Sequence, residues 1–345
     1  MVAGPRIKLI RNDHLTKNLL VLDGLTGTGK TMMSSILQSF DRVENGRFIY
    51  DLEYVSISSY LGAHRSDSAQ SLLDLIIDWK LYDNLISREV NFRPTDLSTI
   101  FKHPSWFEYI RRLFQDDGAS VMERIETINP IMMIITHQLM LAMDPLMQQF
   151  RNRIKIVEMV RHPYYLLDHW IASVDLFATT SRDFTVWVDD GKGAPVPWFA
   201  QEWRDSYWSL SKFDRAVLSI ESLSKHRKKW KSLKIRETTL IIPFEHFVLR
   251  TDDYLADLAE WIGTSTTKHT RRICRKQNLP RSNINAGLNK SIYRRYKYND
   301  ADKHLSHEKS YMQKKAFAES QQSSISGPVL QRLVNDYEDE FGLWF

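Results

Sequence analysis

The sequence predicts an α/β fold: a mostly parallel central sheet with helices on both faces, built on a P-loop NTPase-like phosphate loop, with a helical insertion and a C-terminal extension. Three observations predict it. The apolar run Asn18 to Asp23 leads directly into a glycine-rich turn and then into a helical pattern from Thr31 to Phe40. Further apolar runs of strand length, Ile131 to Ile135, Ile154 to Val160 and Thr238 to Ile242, are separated by helical stretches, the order that makes parallel strands joined by crossovers. A chain of 345 residues, 43% of them hydrophobic, can bury one large core. We therefore expect a single domain over 1–345, with its core at 16–62 and 128–263.

The elements follow in order. Met1 to Asn18 lacks the apolar stretch and cleavage site of a secretory signal, so the chain is expected to stay in the cytoplasm. The single cysteine, Cys274, cannot close an internal disulfide, which fits a reducing compartment. Asn18-Leu-Leu-Val-Leu-Asp23 shows no polar alternation, as a strand covered on both faces requires. Met32, Met33, Ile36, Leu37 and Phe40 then mark one face of a helix. Phe48 to Asp51 reads as a short strand that could end in a magnesium-binding aspartate. Residues 63–127 are amphipathic and poor in strand signals, hence a helical insertion or lid. The most apolar run, Pro130 to Met143, is shorter than the roughly 20 residues a membrane span needs, so no span is expected. Leu139 to Phe150 is helix or loop, with Pro145 interrupting it, and Pro163 suits the first turn of a helix after Arg161. Phe213 to Lys231 is amphipathic. From Thr264 the chain turns basic and polar, a loosely held extension over 264–345 that closes with a helix at Val329 to Glu340.

Gly24-Leu-Thr-Gly-Thr-Gly-Lys-Thr31 matches glycine, four residues, then Gly-Lys-Ser/Thr, and it stands between a strand and a helix. A chance match in a chain this long is of order 1%. Gly24, Gly27 and Gly29, with Thr26 and Thr28, allow successive backbone N–H groups to face phosphate oxygens while the helix behind presents its positive end. Lys30 adds a point charge and Thr31 a hydroxyl. The net charge of +5, from 47 basic and 42 acidic residues, suits an anionic ligand without demanding nucleic acid.

Two further motifs follow. Pro130-Ile-Met-Met-Ile-Ile-Thr-His137 is a strand ending in Thr-His, and about two dozen residues later a strand ends in Arg161-His-Pro163 before a helix. Glu237 to Gly263 adds a strand, an aromatic-Glu pair and a helix ending in glycine. This arrangement, from Leu19 to Gly263, resembles the sulfotransferase family, which moves a sulfuryl group from 3′-phosphoadenosine 5′-phosphosulfate to an acceptor hydroxyl or amine. The resemblance implies His137 as general base, a role an imidazole near neutral pH can fill. It also implies Arg161 on the 3′-phosphate, where a guanidinium makes two parallel bonds to an oxyanion. Lys30 would stabilise charge on the bridging oxygen as the sulfuryl leaves, without a metal. In the family a lysine stands early in the loop, where this chain has Leu25. A serine stands eight residues after the arginine, where this chain has His169, a second 3′-phosphate contact if its ring faces the ligand. Arg281 or Lys290 would stand in for the family's Arg-Lys-Gly segment.

Two other functions stay open. In a phosphotransferase using ATP with magnesium, Thr31 holds the metal, Lys30 reaches the phosphates and Arg161 clamps them. In a nucleotide-binding regulatory module the basic tail would engage a partner instead. The runs Lys225 to Lys231 and Arg271 to Lys276 read as solvated helix faces, which argues against nucleic acid as partner. Trp187, Trp198, Trp203 and Trp208 flank a turn-like segment that would shape the pocket of a small-molecule or glycan acceptor. No His, Cys and carboxylate spacing suggests a metal site.

Overall fold

The computed structural model describes residues 9–96, 98–177, 183–191, 193–227, 237–286 and 304–345. Its strands are β1 (Asn18–Gly24), β2 (Arg47–Phe48), β3 (Ile131–Ile135), β4 (Ile154–Val160), β5 (Trp187–Val188), β6 (Val196–Pro197) and β7 (Thr239–Pro243). Five of them form an all-parallel sheet in the order β2-β3-β1-β4-β7, and β5 and β6 make a separate antiparallel hairpin. This is the fold class the sequence predicts. Leu19, Leu20, Val21 and Leu22 of β1 and Met132, Met133 and Ile134 of β3 are all buried, so both sheet faces are covered and the strands read as unbroken apolar runs.

The topology fixes where a ligand can sit. Strand β1 lies centrally, with β3 on one side and β4 on the other. The chain leaves β1 toward β2 and β3 and later returns to β4 and β7, so the direction of strand order reverses at β1. In open α/β sheets the crevice at the carboxyl ends of such strands is the ligand site.

Most element boundaries agree with the sequence pattern. The helix Pro163–Leu176 starts at its proline, and the imidazole of His162 accepts the Tyr164 N–H at 3.3 Å. Strand β7 begins one residue late, although the Thr238 carbonyl still accepts from the Ile156 N–H at 2.7 Å. Pro145 does not interrupt a helix. It lies in the first turn of Asp144–Phe150, where its missing N–H costs nothing, after a short 3-10 turn at Met140–Ala142. Within 63–127 the long helix Ser66–Leu85 buries Leu73, Ile77, Leu81 and Leu85, and packs on the helices Tyr50–Tyr60 and Asp144–Phe150.

The final helix of the C-terminal extension is not loosely held. Helix Ser326–Phe341 buries Leu330, Val334 and Tyr337, and the Tyr337 hydroxyl donates to Glu245 Oε2 at 2.7 Å. Polar composition concealed an apolar stripe at helical spacing, and the stripe decides packing. Lys228 to Lys231 and Lys290 lie outside the described residues.

One buried cluster makes folding sensitive to acid. Arg112 grips Glu44 with both guanidinium nitrogens at 2.7 and 2.9 Å, and the Tyr109 hydroxyl donates to the same carboxylate at 2.7 Å. His103 is buried beside them, and desolvation pushes its pKa down to about 4 against the pull of Glu44. Its folded pKa is below the unfolded value, so the contribution is complete above about pH 6.5 and is lost as pH falls toward 4. At about 1.4 kcal/mol per unit this is roughly 3 kcal/mol. Urea unfolding at pH 7 and pH 4.5 should therefore show a larger loss in the wild type than in His103→Gln; equal losses would refute the assignment.

Candidate functional site

The phosphate loop joins β1 to the helix Lys30–Leu37 at the carboxyl edge of the sheet. The Thr28 hydroxyl and N–H both donate to the Leu25 carbonyl, at 2.8 and 3.2 Å, which closes the turn from inside. Thr31 is exposed in the first turn of the helix. Lys30 does not point outward as the motif suggests. Its ammonium donates back to the Gly24 carbonyl and lies 3.9 Å from Asp23 Oδ1. Burial pushes the pKa of Lys30 down while Asp23 and Glu53 oppose it, and burial pushes the carboxyl of Asp23 up. A buried ammonium must find oxygen acceptors, and those of Gly24 and Asp23 are within reach.

Asp23 is paired in register with Glu158 on β4, so the two carboxylates stand on the same side of adjacent strands. Glu158 is hydrogen-bonded to His226 Nε2 at 2.9 Å. Burial raises its pKa, but His226 and Arg227 together oppose burial and leave it lowered. Asp23 Oδ2 and Glu158 Oε2 have no hydrogen-bond partner among the described residues.

His137 follows β3 and is about one-third exposed. Its Nδ1 lies 3.1 Å from Glu53 Oε1, and its backbone N–H donates to the same oxygen at 3.0 Å. Glu53 is buried, so this carboxylate fixes the proton on Nδ1 and leaves Nε2 as an acceptor. The imidazole is stacked between Phe48, centroids 3.9 Å apart, and Tyr50, at 5.3 Å. Tyr50 in turn meets Phe184 at 5.5 Å. Among the described residues, the rings stacked on His137 thus come from 48–50, with Phe184 behind Tyr50. The next residue, Gln138, accepts from the Thr26 hydroxyl at 3.2 Å, which ties the end of β3 to the phosphate loop.

Arg161 follows β4 and reaches the loop from the other side, with Nη1 donating to the Gly27 carbonyl at 2.8 Å. Its Nε makes no hydrogen bond to a described residue and faces Glu245 Oε1 at 3.7 Å. Phe244 lies under two guanidiniums, with Arg161 Cζ at 4.6 Å and Arg281 Cζ at 5.7 Å from the ring centroid. A Cβ added at Gly27 would meet His169 Cδ2 at 2.8 Å, so that ring covers the loop. Burial, reinforced by Arg161, pushes the pKa of His169 down to about 4, and the ring is neutral at pH 7. Of the two residues suggested for the Arg-Lys-Gly segment, Arg281 therefore joins the cluster.

A cavity of about 340 Å³ opens beside this centre, lined by Gly24, Leu25 and Thr28, by Gln138 and Arg161, and by Tyr337 of the final helix. The tryptophans divide between roles. Trp198 is buried and Trp203 donates to the Ser222 hydroxyl at 2.9 Å, whereas Trp187 and Trp208 stack on each other at 6.1 Å. Asp51 lies exposed in the first turn of Tyr50–Tyr60, 4.0 Å from Lys80 Nζ, rather than at a strand end. His14, Asp74 and Asp78 converge in a way their spacing did not suggest. The oxygens of Asp78 are taken by the Leu15 and Thr16 N–H groups at 3.0 and 2.8 Å and by Arg11, so the cluster anchors the N-terminal segment. Glu53, Asp23 and Glu158 escaped the sequence reading as site residues, and Phe244 entered it only as the aromatic of the aromatic-Glu pair. The one available signal was a carboxylate inside an apolar strand, as at Glu158.

No helix among the described residues is long and apolar enough to cross a membrane. No protein-family model matches the chain, and no curated protein does. Among solved structures, the chain is similar to the sulfotransferase domain from the curacin biosynthetic pathway at 11% identity, covering 94% of this chain and 99% of that one with a TM-score of 0.47. It is similar to the sulfotransferase domain of the Synechococcus PCC 7002 olefin synthase at 10% identity, covering 96% of each chain with a TM-score of 0.43. It is also similar to a mouse sulfotransferase complexed with PAP at 11% identity, covering 92% of this chain and 89% of that one with a TM-score of 0.33.

Proposed function

We propose that this chain transfers a sulfuryl group from 3′-phosphoadenosine 5′-phosphosulfate to the hydroxyl or amine of a small-molecule or glycan acceptor. The observation that carries the reading is convergence on one loop: Arg161 bonds Gly27 from β4, and Gln138, beside His137, bonds Thr26 from β3. In this reading the loop amides hold the 5′-phosphosulfate end, and Arg161 with His169 holds the 3′-phosphate. The neutral ring of His169 can offer one N–H. Lys30 turns from the Gly24 carbonyl to the bridging oxygen. The acceptor lies against Tyr50 and Phe184, and its oxygen or nitrogen attacks sulfur while His137 Nε2 takes its proton. The sulfur–oxygen bond to the 5′-phosphate breaks, and adenosine 3′,5′-bisphosphate leaves with the electron pair. Glu53 stabilises the imidazolium that forms.

One observation favours a second reading. Asp23 and Glu158 place carboxylate oxygens free of hydrogen bonds near the loop, where a phosphotransferase would want oxygen ligands for magnesium. Melting temperature separates the two, because a ligand that binds only the folded state stabilises it by about 2.7 kcal/mol at a hundred times its Kd. Adenosine 3′,5′-bisphosphate should raise the melting temperature of the wild type and not of Arg161→Ala. Stabilisation by ATP with magnesium alone, indifferent to Arg161→Ala, would replace the first reading by the second.

A further inference from the structure

A second groove, of about 580 Å³, shares no lining residue with the phosphate-loop cavity. One wall is the helix Lys268–Lys276, which presents His269, Arg272 and Lys276; the other is formed by Phe101, Lys102 and Trp106. No carboxylate of a described residue lines it. The helix carries Lys268, Arg271, Arg272, Arg275 and Lys276 within nine residues, all exposed, and none forms an ion pair with a described residue. Like charges three and four positions apart on a helix repel one another, so a bound anion would relieve strain that the sequence otherwise bears unrelieved.

The facing wall is aromatic. Phe101 and Trp106 are 42% and 41% exposed, with centroids 5.8 Å apart and rings inclined at 58°. Cations alone would suffice for a carboxylate or a simple phosphate. Exposed rings opposite unpaired guanidinium and ammonium groups suit a ligand that is flat at one end and anionic at the other. A groove of this volume is of the size that holds one such molecule.

We infer that this groove binds a nucleotide unit, its base against Phe101 and Trp106 and its phosphate on Arg272 and Lys276. The unit is either free or part of a single strand, and the groove is separate from the phosphate loop.

The test titrates the full chain with a fluorescent ADP analogue and with a labelled oligothymidylate of roughly ten residues, a length that spans one stacking site. Binding of the free nucleotide assigns the first source, and binding of the oligonucleotide alone assigns the second. In either case Trp106→Ala should weaken binding roughly tenfold. Trp106→Phe should recover most of that loss, the double change Arg272→Glu with Lys276→Glu should abolish binding, and Arg161→Ala should retain it. Circular dichroism of each variant separates lost binding from lost folding, and the conservative Trp106→Phe keeps the wall packed. Failure of both probes to bind, or binding indifferent to Trp106→Ala, would overturn the inference. Binding lost in Arg161→Ala would also overturn it, because the probe would then occupy the phosphate loop. Failure here leaves the transferase reading untouched, since that reading rests on the other cavity.

Discussion

His137→Ala should reduce turnover by roughly 10²- to 10⁴-fold while the affinity for adenosine 3′,5′-bisphosphate stays within about twofold. The asymmetry follows from geometry. His137 touches Glu53, Phe48 and Tyr50, whereas the bond from the end of β3 to the loop runs through Gln138. In the proposed mechanism, removing the imidazole therefore deletes the proton acceptor and leaves the loop that would hold the anion standing. Glu53→Gln should cost on the order of tenfold to a hundredfold in kcat, because an amide still bonds the ring but can present either its oxygen or its nitrogen and so no longer fixes the proton on Nδ1. The two losses should not add, since Glu53 acts through His137. The double variant His137→Ala with Glu53→Gln is expected to turn over no more slowly than His137→Ala alone. Added imidazole should partly restore His137→Ala. Turnover of His137→Ala within a few-fold of wild type would remove the histidine from the mechanism, whatever the nucleotide proves to be.

The sheet was legible in the sequence because its strands are covered on both faces, which leaves runs such as Ile131 to Ile135 with no alternation to confuse with a surface strand. The tight turn between β1 and the helix Lys30–Leu37 was legible because it needs glycine and its spacing is rarely met by chance. The positions of His137 and Arg161 could be read because each follows a recognisable strand, so sequence adjacency stood in for spatial adjacency. Glu53 could not. It stands 84 residues before His137 on a helix whose apolar face gives no hint of what its acidic residues touch. The inward turn of Lys30 was equally hidden, since a motif fixes where a side chain starts, while the oxygens within reach decide where it ends. The final helix was underrated for a related reason: average composition is blind to which face carries the polar residues, and Leu330, Val334 and Tyr337 share one face.

Gly24→Ala should be among the most damaging single changes in the chain, and the size of the effect can be reasoned from what a methyl group would meet. A Cβ at Gly24 would lie 2.2 Å from the Met159 carbonyl oxygen and 2.8 Å from Thr28 Oγ1. The first of these is backbone, held in β4 by the ladder in which Gly24 and Met159 are partners, so it cannot swing aside. The residue also has φ of 142°, a conformation open to glycine and strained for alanine. The clash and the strain together should cost roughly 3 kcal/mol or more. Any relief must come from moving the first residue of the loop, so nucleotide affinity should fall as well, by on the order of a hundredfold. Two comparisons isolate the cause. Gly27→Ala would be strained at φ of 94°, but its nearest contacts belong to the side chain of His169, which can shift, so it should weaken nucleotide binding while costing less stability than Gly24→Ala. Gly62→Ala, with φ of 76° and nothing within 4 Å of its Cβ, should lose only about 1 kcal/mol from backbone strain. Urea unfolding of the three variants should rank Gly24→Ala first by a clear margin. If Gly24→Ala is no less stable than Gly62→Ala, the packing of the loop against β4 is not the constraint described.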